Sequence, residues 1–242
     1  MRNMKLSVNI NKIATIRNAR GGNTPNLLLA ASRIESFGAD GITVHPRPDE
    51  RHIRYADVRD LKARVQTELN VEGYPNDSFM KLVLEVVPHQ VTLVPDPPEA
   101  LTSNAGWDIE TNFNFLSGVI QQLKDAGIRT SIFVEANMQH MQAAKDSGVD
   151  RIELYTESFA VGYHEGNKKA IEPFVQAAYK ARELGLGVNA GHDLNLDNLS
   201  FFAKEIPILD EVSIGHALIS DALYFGLENT VRMYKQALSI TK

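Results

Sequence analysis

The sequence predicts an α/β fold, a (β/α)8 TIM barrel with additional short helices, as a single domain over residues 1–242. Eight short runs rich in apolar and β-branched residues alternate with segments of helical periodicity, and no change of composition marks a linker. Four or five such units would suit an open doubly wound sheet, whereas eight units favour a closed barrel. The length agrees with this prediction, because α/β barrels of about 200–250 residues commonly form one domain.

The first half of the chain predicts four strands, each followed by a helix. The strands are expected at residues 6–10, 41–44, 71–74 and 90–94, where apolar residues alternate or run together. Helical periodicity is expected over residues 25–37, 55–69, 79–87 and 114–126. Residues 11–22 and 95–107 are expected to form loops, and the length of the second loop makes it a candidate lid.

The second half of the chain repeats this pattern. Strands are expected at residues 130–135, 151–155, 187–191 and 211–215. Helices are expected at residues 138–147, 198–203 and 220–238, and a longer helix that follows a polar loop at 161–169 is expected to end near Leu184. In (β/α)8 barrels, the C-terminal ends of the strands and the loops that follow them carry the active site. We call this end of the barrel the barrel mouth and expect the functional side chains there.

The composition excludes several classes of function. A formal net charge of −5 argues against a general nucleic-acid surface, which needs a broad excess of basic residues. The absence of cysteine removes disulfides, thiolate nucleophiles and cysteine-ligated metals. There is no secretory signal pattern and no run of about 20 apolar residues. The sequence therefore predicts a cytoplasmic enzyme or binding protein without a membrane or nucleic-acid partner.

A basic loop follows the second predicted strand. Its residues 45–54 contain two imidazoles, three guanidiniums and two carboxylates, a density of donors that predicts an anionic ligand. We expect Glu135 to be a structural partner, and Arg51 and Arg54 to be solvated. The other candidate site residues expected at the barrel mouth are Asn9, Asn11, Lys12, Arg20, His45, Arg47, His52, Glu72, Thr102, Glu153, His192, Asp193, Gly215 and His216.

Two phosphate sites are expected at the barrel mouth. Gly191 and the Gly215-His216 pair end the seventh and eighth strands, where barrel enzymes bind phosphate through backbone N–H groups. A second anion site would be formed by Arg47, His52, Lys12 and Thr102. Carboxylates and imidazoles between two such sites predict an enzyme that joins or rearranges phosphorylated small molecules by proton transfer, without a cofactor.

Six segments, spread from the first strand to the last, resemble the pyridoxine 5'-phosphate synthase family. They are residues 8–10, 13–20, 38–45, 51–53, 188–192 and 214–217, which read VNI, IATIRNAR, GADGITVH, RHI, VNAGH and IGHA. The resemblance implies a transferase of vitamin B6 biosynthesis that condenses 1-deoxy-D-xylulose 5-phosphate with 3-amino-2-oxopropyl phosphate. The products would be pyridoxine 5'-phosphate, phosphate and water. The resemblance also implies that no metal or organic cofactor takes part and that the chains assemble as homo-octamers.

The resemblance further implies a role for each residue at the barrel mouth. His45 and Glu72 would accept protons, His192 would donate one, and Glu153 would stabilise a transition state. The amino ketone phosphate would be held by Asn9, Arg20, the backbone of Asp193, Gly215 and His216. The deoxyxylulose phosphate would be held by Asn11, Lys12, Arg47, His52 and Thr102.

This chain differs from the family pattern in two places. Many relatives carry Asp-His where it has Asn11-Lys12, and Gly where it has Asp193. Lys12 can still neutralise a phosphate, whereas a carboxylate at position 193 would repel one. We therefore predict that the side chain of Asp193 turns away from the phosphate.

Three other functions are compatible with the sequence. An aldolase or isomerase acting on phosphorylated sugars is one, although a Schiff-base aldolase would need a lysine on an inner strand and Lys12 follows its strand. A metal-dependent hydrolase would use His45, His192, His216 and a carboxylate, but the sequence has no His-x-His pair. A non-catalytic protein that binds phosphorylated metabolites would not need the acids and imidazoles at the mouth.

Overall fold

Eight parallel strands close into a barrel in the order of the sequence. The computed structural model describes residues 4–96 and 105–239. Its strands are β1 Lys5–Asn9, β2 Gly41–Val44, β3 Glu68–Gly73, β4 Gln90–Leu93, β5 Arg129–Val134, β6 Arg151–Tyr155, β7 Gly187–Gly191 and β8 Glu211–Ile214. The barrel closes where β8 pairs with β1, with Ser213 opposite Ser7. The predicted (β/α)8 TIM barrel is confirmed.

Helices surround the barrel, and in the described part of the chain three of the strands are followed by two α-helices instead of one. The α-helices in the described ranges are α1 Asn11–Arg20, α2 Leu27–Ser36, α3 Tyr55–Arg64, α4 Asp77–Val86, α5 Phe113–Asp125, α6 His140–Asp146, α7 Glu157–His164, α8 Glu172–Glu183, α9 Leu199–Glu205, α10 His216–Phe225 and α11 Leu227–Leu238. A 3-10 helix, Lys168–Ile171, lies between α7 and α8. The additional helices are thus α1, α7 and α10, each of which follows a strand directly at the barrel mouth. Among these described helices, none combines the length and apolarity needed to cross a membrane.

Successive side chains of each strand point alternately toward the helices and toward the barrel axis. Nearly all of the outward-facing side chains are apolar, and Val8, Ile42 and Val71 on the first three strands have no solvent exposure. They belong to one continuous cluster with the apolar faces of the helices. The apolar core therefore lies between the sheet and the surrounding helices, as expected for a parallel sheet covered by helices.

The inward-facing side chains are largely polar and form a hydrogen-bonded layer below the mouth. The hydroxyl groups of Ser7 and Thr43 lie 2.6 Å apart, and Asn70 Nδ2 donates to the Thr43 hydroxyl at 3.4 Å. The Thr92 hydroxyl donates to Asn70 Oδ1 at 3.1 Å. Buried polar groups cost free energy unless they are hydrogen-bonded, so these bonds offset the cost of burying polar side chains inside the barrel.

Two loops predicted from the sequence are wrong in part. Residues 11–20 form helix α1, which the sequence does not indicate because the charged Arg17 shares its buried face with Ile13 and Ala14. Most of the predicted loop at 161–169 belongs to α7 and the 3-10 helix. The candidate lid at 95–107 lies partly outside the described residues.

Two helix boundaries also differ from the prediction. Helix α3 ends at Arg64, because Val65 takes an extended conformation and residues 68 and 69 already belong to β3. The single final helix expected at 220–238 is two helices. Gly226 has a φ of 78°, which ends α10 and lets the chain turn into α11.

Candidate active site

Glu72 points from β3 toward the barrel axis at the mouth. Its carboxylate accepts hydrogen bonds from Asn9 Nδ2 at 3.4 Å and from Ser213 Oγ at 3.5 Å. Burial raises the pKa of Glu72 to about 7; His192 opposes this rise, and the charge of Asp96 adds to it. Near neutral pH the carboxyl group is therefore partly protonated and partly ionised, which suits a group that accepts a proton and returns it.

Glu153 lies one layer deeper, on β6, and is 3% exposed. Burial raises the pKa of Glu153 well above its usual range, and the nearby charge of Glu72 adds to the rise. Thr92 Oγ1 lies 3.5 Å from the carboxyl group. A Cβ atom on Gly191 would lie 2.5 Å from Glu153 Oε1, so the glycine at the end of β7 makes room for this side chain. A neutral Glu153 can donate a hydrogen bond toward the mouth.

His45 follows β2 and is 6% exposed. Its backbone N–H donates to Asn11 Oδ1 at 2.9 Å, which ties the start of α1 to the end of β2. Burial lowers the pKa of His45 well below its usual value, and the charges of Arg47 and His52 lower it further. At neutral pH the imidazole is therefore uncharged and able to accept a proton.

His52 lies beside His45, and their ring centroids are 6.4 Å apart. The N–H of Ile53 donates to His52 Nδ1 at 2.8 Å, so in the neutral ring the proton is on Nε2. Burial lowers the pKa of His52 to about 4, and the charges of Arg47 and Lys12 also lower it. A region in which cations suppress the charge of a histidine is electropositive, as a phosphate site must be.

Arg47 makes a buried ion pair with Asp96, with Nη2 of the arginine 2.6 Å from Oδ2 of the aspartate. Both residues are 4% exposed. A cavity beside this pair is lined by His45, Pro46, Arg47, Pro48, Tyr55, Tyr74, Asn76, Phe79 and Asp96. In this structure the carboxylate of Asp96 therefore occupies one side of the guanidinium that the sequence assigns to a phosphate.

His192 follows β7 and has a φ of 90°, in a region that a non-glycine residue rarely adopts. Its Nδ1 lies 2.7 Å from Asp193 Oδ2, and its ring meets the Tyr155 ring edge-on with centroids 5.4 Å apart. Burial lowers the pKa of His192, but the hydrogen bond and charge of Asp193, together with the charge of Glu72, outweigh burial and raise it overall. The ring thus keeps its second proton to a higher pH than an ordinary histidine does, which suits a proton donor.

Gly215 and His216 form the junction between β8 and α10. Gly215 is the N-cap of α10 and His216 is its first residue, so the first N–H groups of the helix lie at the barrel mouth. These groups have no acceptor within the helix and carry partial positive charge, which favours a bound anion. A Cβ atom on Gly215 would lie 3.0 Å from the Asn9 side chain, so the glycine permits the close approach of β1.

One predicted site residue lies at the far end of α1, and another is not among the described residues. Arg20 is the exposed last residue of α1, about 14 Å along the helix axis from Asn11. Thr102 lies outside the described residues. In residues 4–96 and 105–239, no group of three or more histidine and carboxylate side chains is arranged to hold a metal ion.

Sequence reasoning missed several residues that hold the site together. Arg17 is 3% exposed, donates to both carboxylate oxygens of Asp57 at 2.6 and 2.8 Å, and donates to the carbonyl of His52 at 3.2 Å. These bonds fix α1 against the loop after β2. Arg17 recurs at the helical spacing of Ile13 and Ala14, a signal that could have indicated a buried ion pair. No spacing in the sequence links Arg47 to its partner.

Comparisons with known proteins identify relatives along nearly the whole chain. The family model described as "Pyridoxal phosphate biosynthesis protein PdxJ" matches residues 6–240. The pyridoxine 5'-phosphate synthase of Bacteroides thetaiotaomicron is 62% identical over 234 residues, which cover 97% of this chain and 99% of the relative. Those of Flavobacterium johnsoniae and Porphyromonas gingivalis are 63% and 57% identical, with 97% and 98% of this chain and 99% of each relative covered.

Solved structures with the same fold share much less of the sequence. Phosphoribosylanthranilate isomerase from Thermotoga maritima superposes with a TM-score of 0.60 at 14% identity, covering 97% of this chain and 98% of that one. The tryptophan synthase alpha-subunit from Pyrococcus furiosus gives 0.62 at 16% identity, covering 98% and 96%. At this level of identity the likeness shows the barrel fold alone.

Proposed function

We propose a specific reaction for this chain, which belongs to the PdxJ family of pyridoxal phosphate biosynthesis proteins. It is a transferase that condenses 1-deoxy-D-xylulose 5-phosphate with 3-amino-2-oxopropyl phosphate. The products are pyridoxine 5'-phosphate, phosphate and water. The chain acts in the cytoplasm and uses side chains of the barrel mouth for the chemistry, without a cofactor.

The proposal is carried by three neighbouring groups with different protonation states. Near neutral pH, His45 is uncharged and Glu72 is divided between its two forms, while the raised pKa of His192 favours its protonated form more than in an ordinary histidine. Joining an amine to a ketone and closing an aromatic ring each require protons to be removed and delivered in turn. His45 and Glu72 accept these protons and His192 supplies one, while the neutral carboxyl group of Glu153 stabilises developing negative charge by a hydrogen bond.

Two electropositive positions at the mouth suit the phosphate groups of the two substrates. The start of α10, with Gly215, His216 and the neighbouring Asn9, holds the amino ketone phosphate, helped by Arg20 and the backbone of Asp193. The loop after β2 and the start of α1 hold the deoxyxylulose phosphate through Asn11, Lys12, Arg47, His52 and Thr102. The low pKa of His52 supports the second position, because it reflects the surrounding cations as well as burial.

A Schiff-base aldolase is less well supported by the positions of the lysines. Lys5 points into the barrel, but it lies at the N-terminal end of β1, where it pairs with Glu68. Arg129 binds the same carboxylate at 2.5 Å, so Lys5 belongs to a charge network on the side opposite the mouth. Lys12 is exposed on α1. Neither position suits a lysine that must attack a carbonyl between Glu72 and His192.

The test is turnover by the purified protein with both proposed substrates. We expect pyridoxine 5'-phosphate, measured by its absorbance, to accumulate together with free phosphate. Glu72→Gln and His192→Ala should lower kcat much more than they raise KM, whereas Arg47→Ala should mainly raise KM. If Glu72→Gln retained full activity, the role assigned to Glu72 would be wrong.

The proposed homo-octamer is supported by an exposed apolar segment at the end of α10. Leu223, Tyr224 and Phe225 are 73, 84 and 49% exposed. Contiguous apolar surface of this kind favours contact with another subunit. We expect sedimentation to give a mass eight times the 26.8 kDa of the chain, and Tyr224→Asp to lower it. An unchanged mass in this variant would show that the segment lies outside the subunit contacts.

A further inference from the structure

We propose that Asp193 is a positioning residue, which orients His192 and keeps a proton on its Nδ1 so that Nε2 exchanges protons with the substrate. The catalytic consequence of this contact rests on the proposed function, whereas the orientation and tautomer of His192 do not depend on it. The central observation is the 2.7 Å contact between His192 Nδ1 and Asp193 Oδ2. A carboxylate can only accept at this distance, so the Nδ1 atom is the donor.

The backbone around Asp193 is fixed from two sides. Its N–H donates to Thr156 Oγ1 at 3.2 Å, and the same hydroxyl donates to the carbonyl of Gly191 at 2.7 Å. The carbonyl of Asp193 accepts from Asn198 Nδ2 at 3.2 Å. Because Thr156 is fully buried after β6, the turn that carries the aspartate is anchored to the barrel wall. The carboxylate is thereby held at a defined position beside the imidazole.

The imidazole is restrained in the same way. The positive φ of His192 turns its side chain toward the mouth, and the Tyr155 ring packs against it at an interplanar angle of 80°. The Tyr155 hydroxyl donates to Glu157 at 2.8 Å, which holds that ring in turn. Restraint by Tyr155 on one side and by Asp193 at Nδ1 leaves the ring one orientation, in which Nε2 is the nitrogen available for proton exchange.

Charged groups from three elements act on this ring. Glu72 approaches from β3, Asp96 follows β4, and Asp193 belongs to the same turn as His192. Tyr155 lies on β6, and Glu157 begins α7. Burial lowers the pKa of His192, and the hydrogen bond and charge of Asp193 oppose burial more strongly than the two more distant carboxylates do. Asp193 thus affects both the direction in which the ring points and its affinity for a proton.

The same contact suggests a role for the aspartate that this chain carries at position 193 in place of glycine. A glycine there, as in the family pattern that this chain resembles, cannot contact the imidazole. In this chain the carboxylate is engaged by His192, so its charge is partly neutralised when the ring is protonated. We therefore expect Asp193→Gly to remain able to bind phosphate while losing the control of the histidine proton.

Histidine NMR on the ligand-free protein tests the proposal without any need for turnover. In uniformly 15N-histidine-labelled protein, with the His192 signals assigned through His192→Gln, we expect the neutral ring to be protonated on Nδ1. In Asp193→Asn we expect the pKa of His192 to fall by about one pH unit. Asp193→Glu should restore part of the loss, and Asp197→Asn, an exposed carboxylate of the same loop, should change nothing.

A kinetic measurement then connects the contact to the reaction. In Asp193→Asn the basic limb of the kcat profile should move to lower pH with the His192 pKa, while KM for both substrates stays within about twofold. An unchanged His192 pKa and tautomer in Asp193→Asn would overturn the proposal, as would an unchanged kcat profile despite a shifted pKa. If the NMR result holds and the wild-type protein shows no turnover, the positioning contact stands and the proposed function fails.

Discussion

Replacing Glu72 by glutamine should stabilise the protein at alkaline pH, although it removes a group that we place in the chemistry. Burial makes the charged form of Glu72 costly and raises its pKa from 4.5 to about 7. Each unit of difference between folded and unfolded pKa corresponds to about 1.4 kcal/mol. Glutamine keeps the shape and can still accept from Asn9 and Ser213, but it never becomes charged.

The stability advantage of Glu72→Gln grows with pH because the pKa of Glu72 is higher in the folded state than in the unfolded state. Below the unfolded pKa of 4.5 both states bind the proton and there is no penalty. As the pH rises toward 7, the unfolded chain releases the proton first, so the folded state of the wild type loses stability relative to the variant. The gain in free energy of unfolding for Glu72→Gln should be about 1 kcal/mol at pH 5 and about 3 kcal/mol at pH 8.

The assay is denaturant unfolding of the wild type and Glu72→Gln at several pH values from 5 to 8, with kcat measured on the same preparations. Glu110→Gln, which neutralises an exposed carboxylate, is the matched control and should leave the difference near zero at every pH. A constant or decreasing advantage for Glu72→Gln with rising pH would refute the electrostatic reasoning. Greater stability together with a large loss of kcat would show the cost of keeping an ionisable group in the site.

The other predictions concern the side chains around Glu72. Gly191→Ala should displace Glu153 and lower kcat at least tenfold, because its Cβ atom would lie 2.5 Å from the carboxyl oxygen of Glu153. The control Gly118→Ala adds its Cβ atom in open space and should leave kcat unchanged. Asp96→Asn should destabilise the protein by about 3 kcal/mol by breaking the buried pair with Arg47. Inorganic phosphate should restore more thermal stability to this variant than to the wild type; equal shifts would argue against a phosphate site at the guanidinium.

The sequence predicted the barrel well because the strands of a parallel sheet leave a strong signal. Short runs containing apolar residues mark all eight strands. The rule that the strand C-termini carry the site placed Glu72, Glu153 and His192 at one end. Helix α1 was missed, because its stability comes from contacts across the fold, such as the pair between Arg17 and Asp57, and not from an apolar face. No local pattern reports such a contact.

The contacts within the site could not be predicted from the sequence, because they also depend on the tertiary structure. The contact between Asp193 and His192 depends on a positive φ at a histidine, which residue preferences do not predict. The ion pair of Arg47 depends on two loops from different strands meeting at the mouth. That the Asp193 carboxylate turns away from a bound phosphate stays a prediction, as do the roles of Arg20 and Thr102.

The stoichiometry of the reaction with purified protein tests the proposed condensation most directly. We expect one phosphate to be released for each pyridoxine 5'-phosphate formed, and no product when either 1-deoxy-D-xylulose 5-phosphate or 3-amino-2-oxopropyl phosphate is omitted. Folded protein that forms no pyridoxine 5'-phosphate from the complete mixture would contradict the proposed condensation.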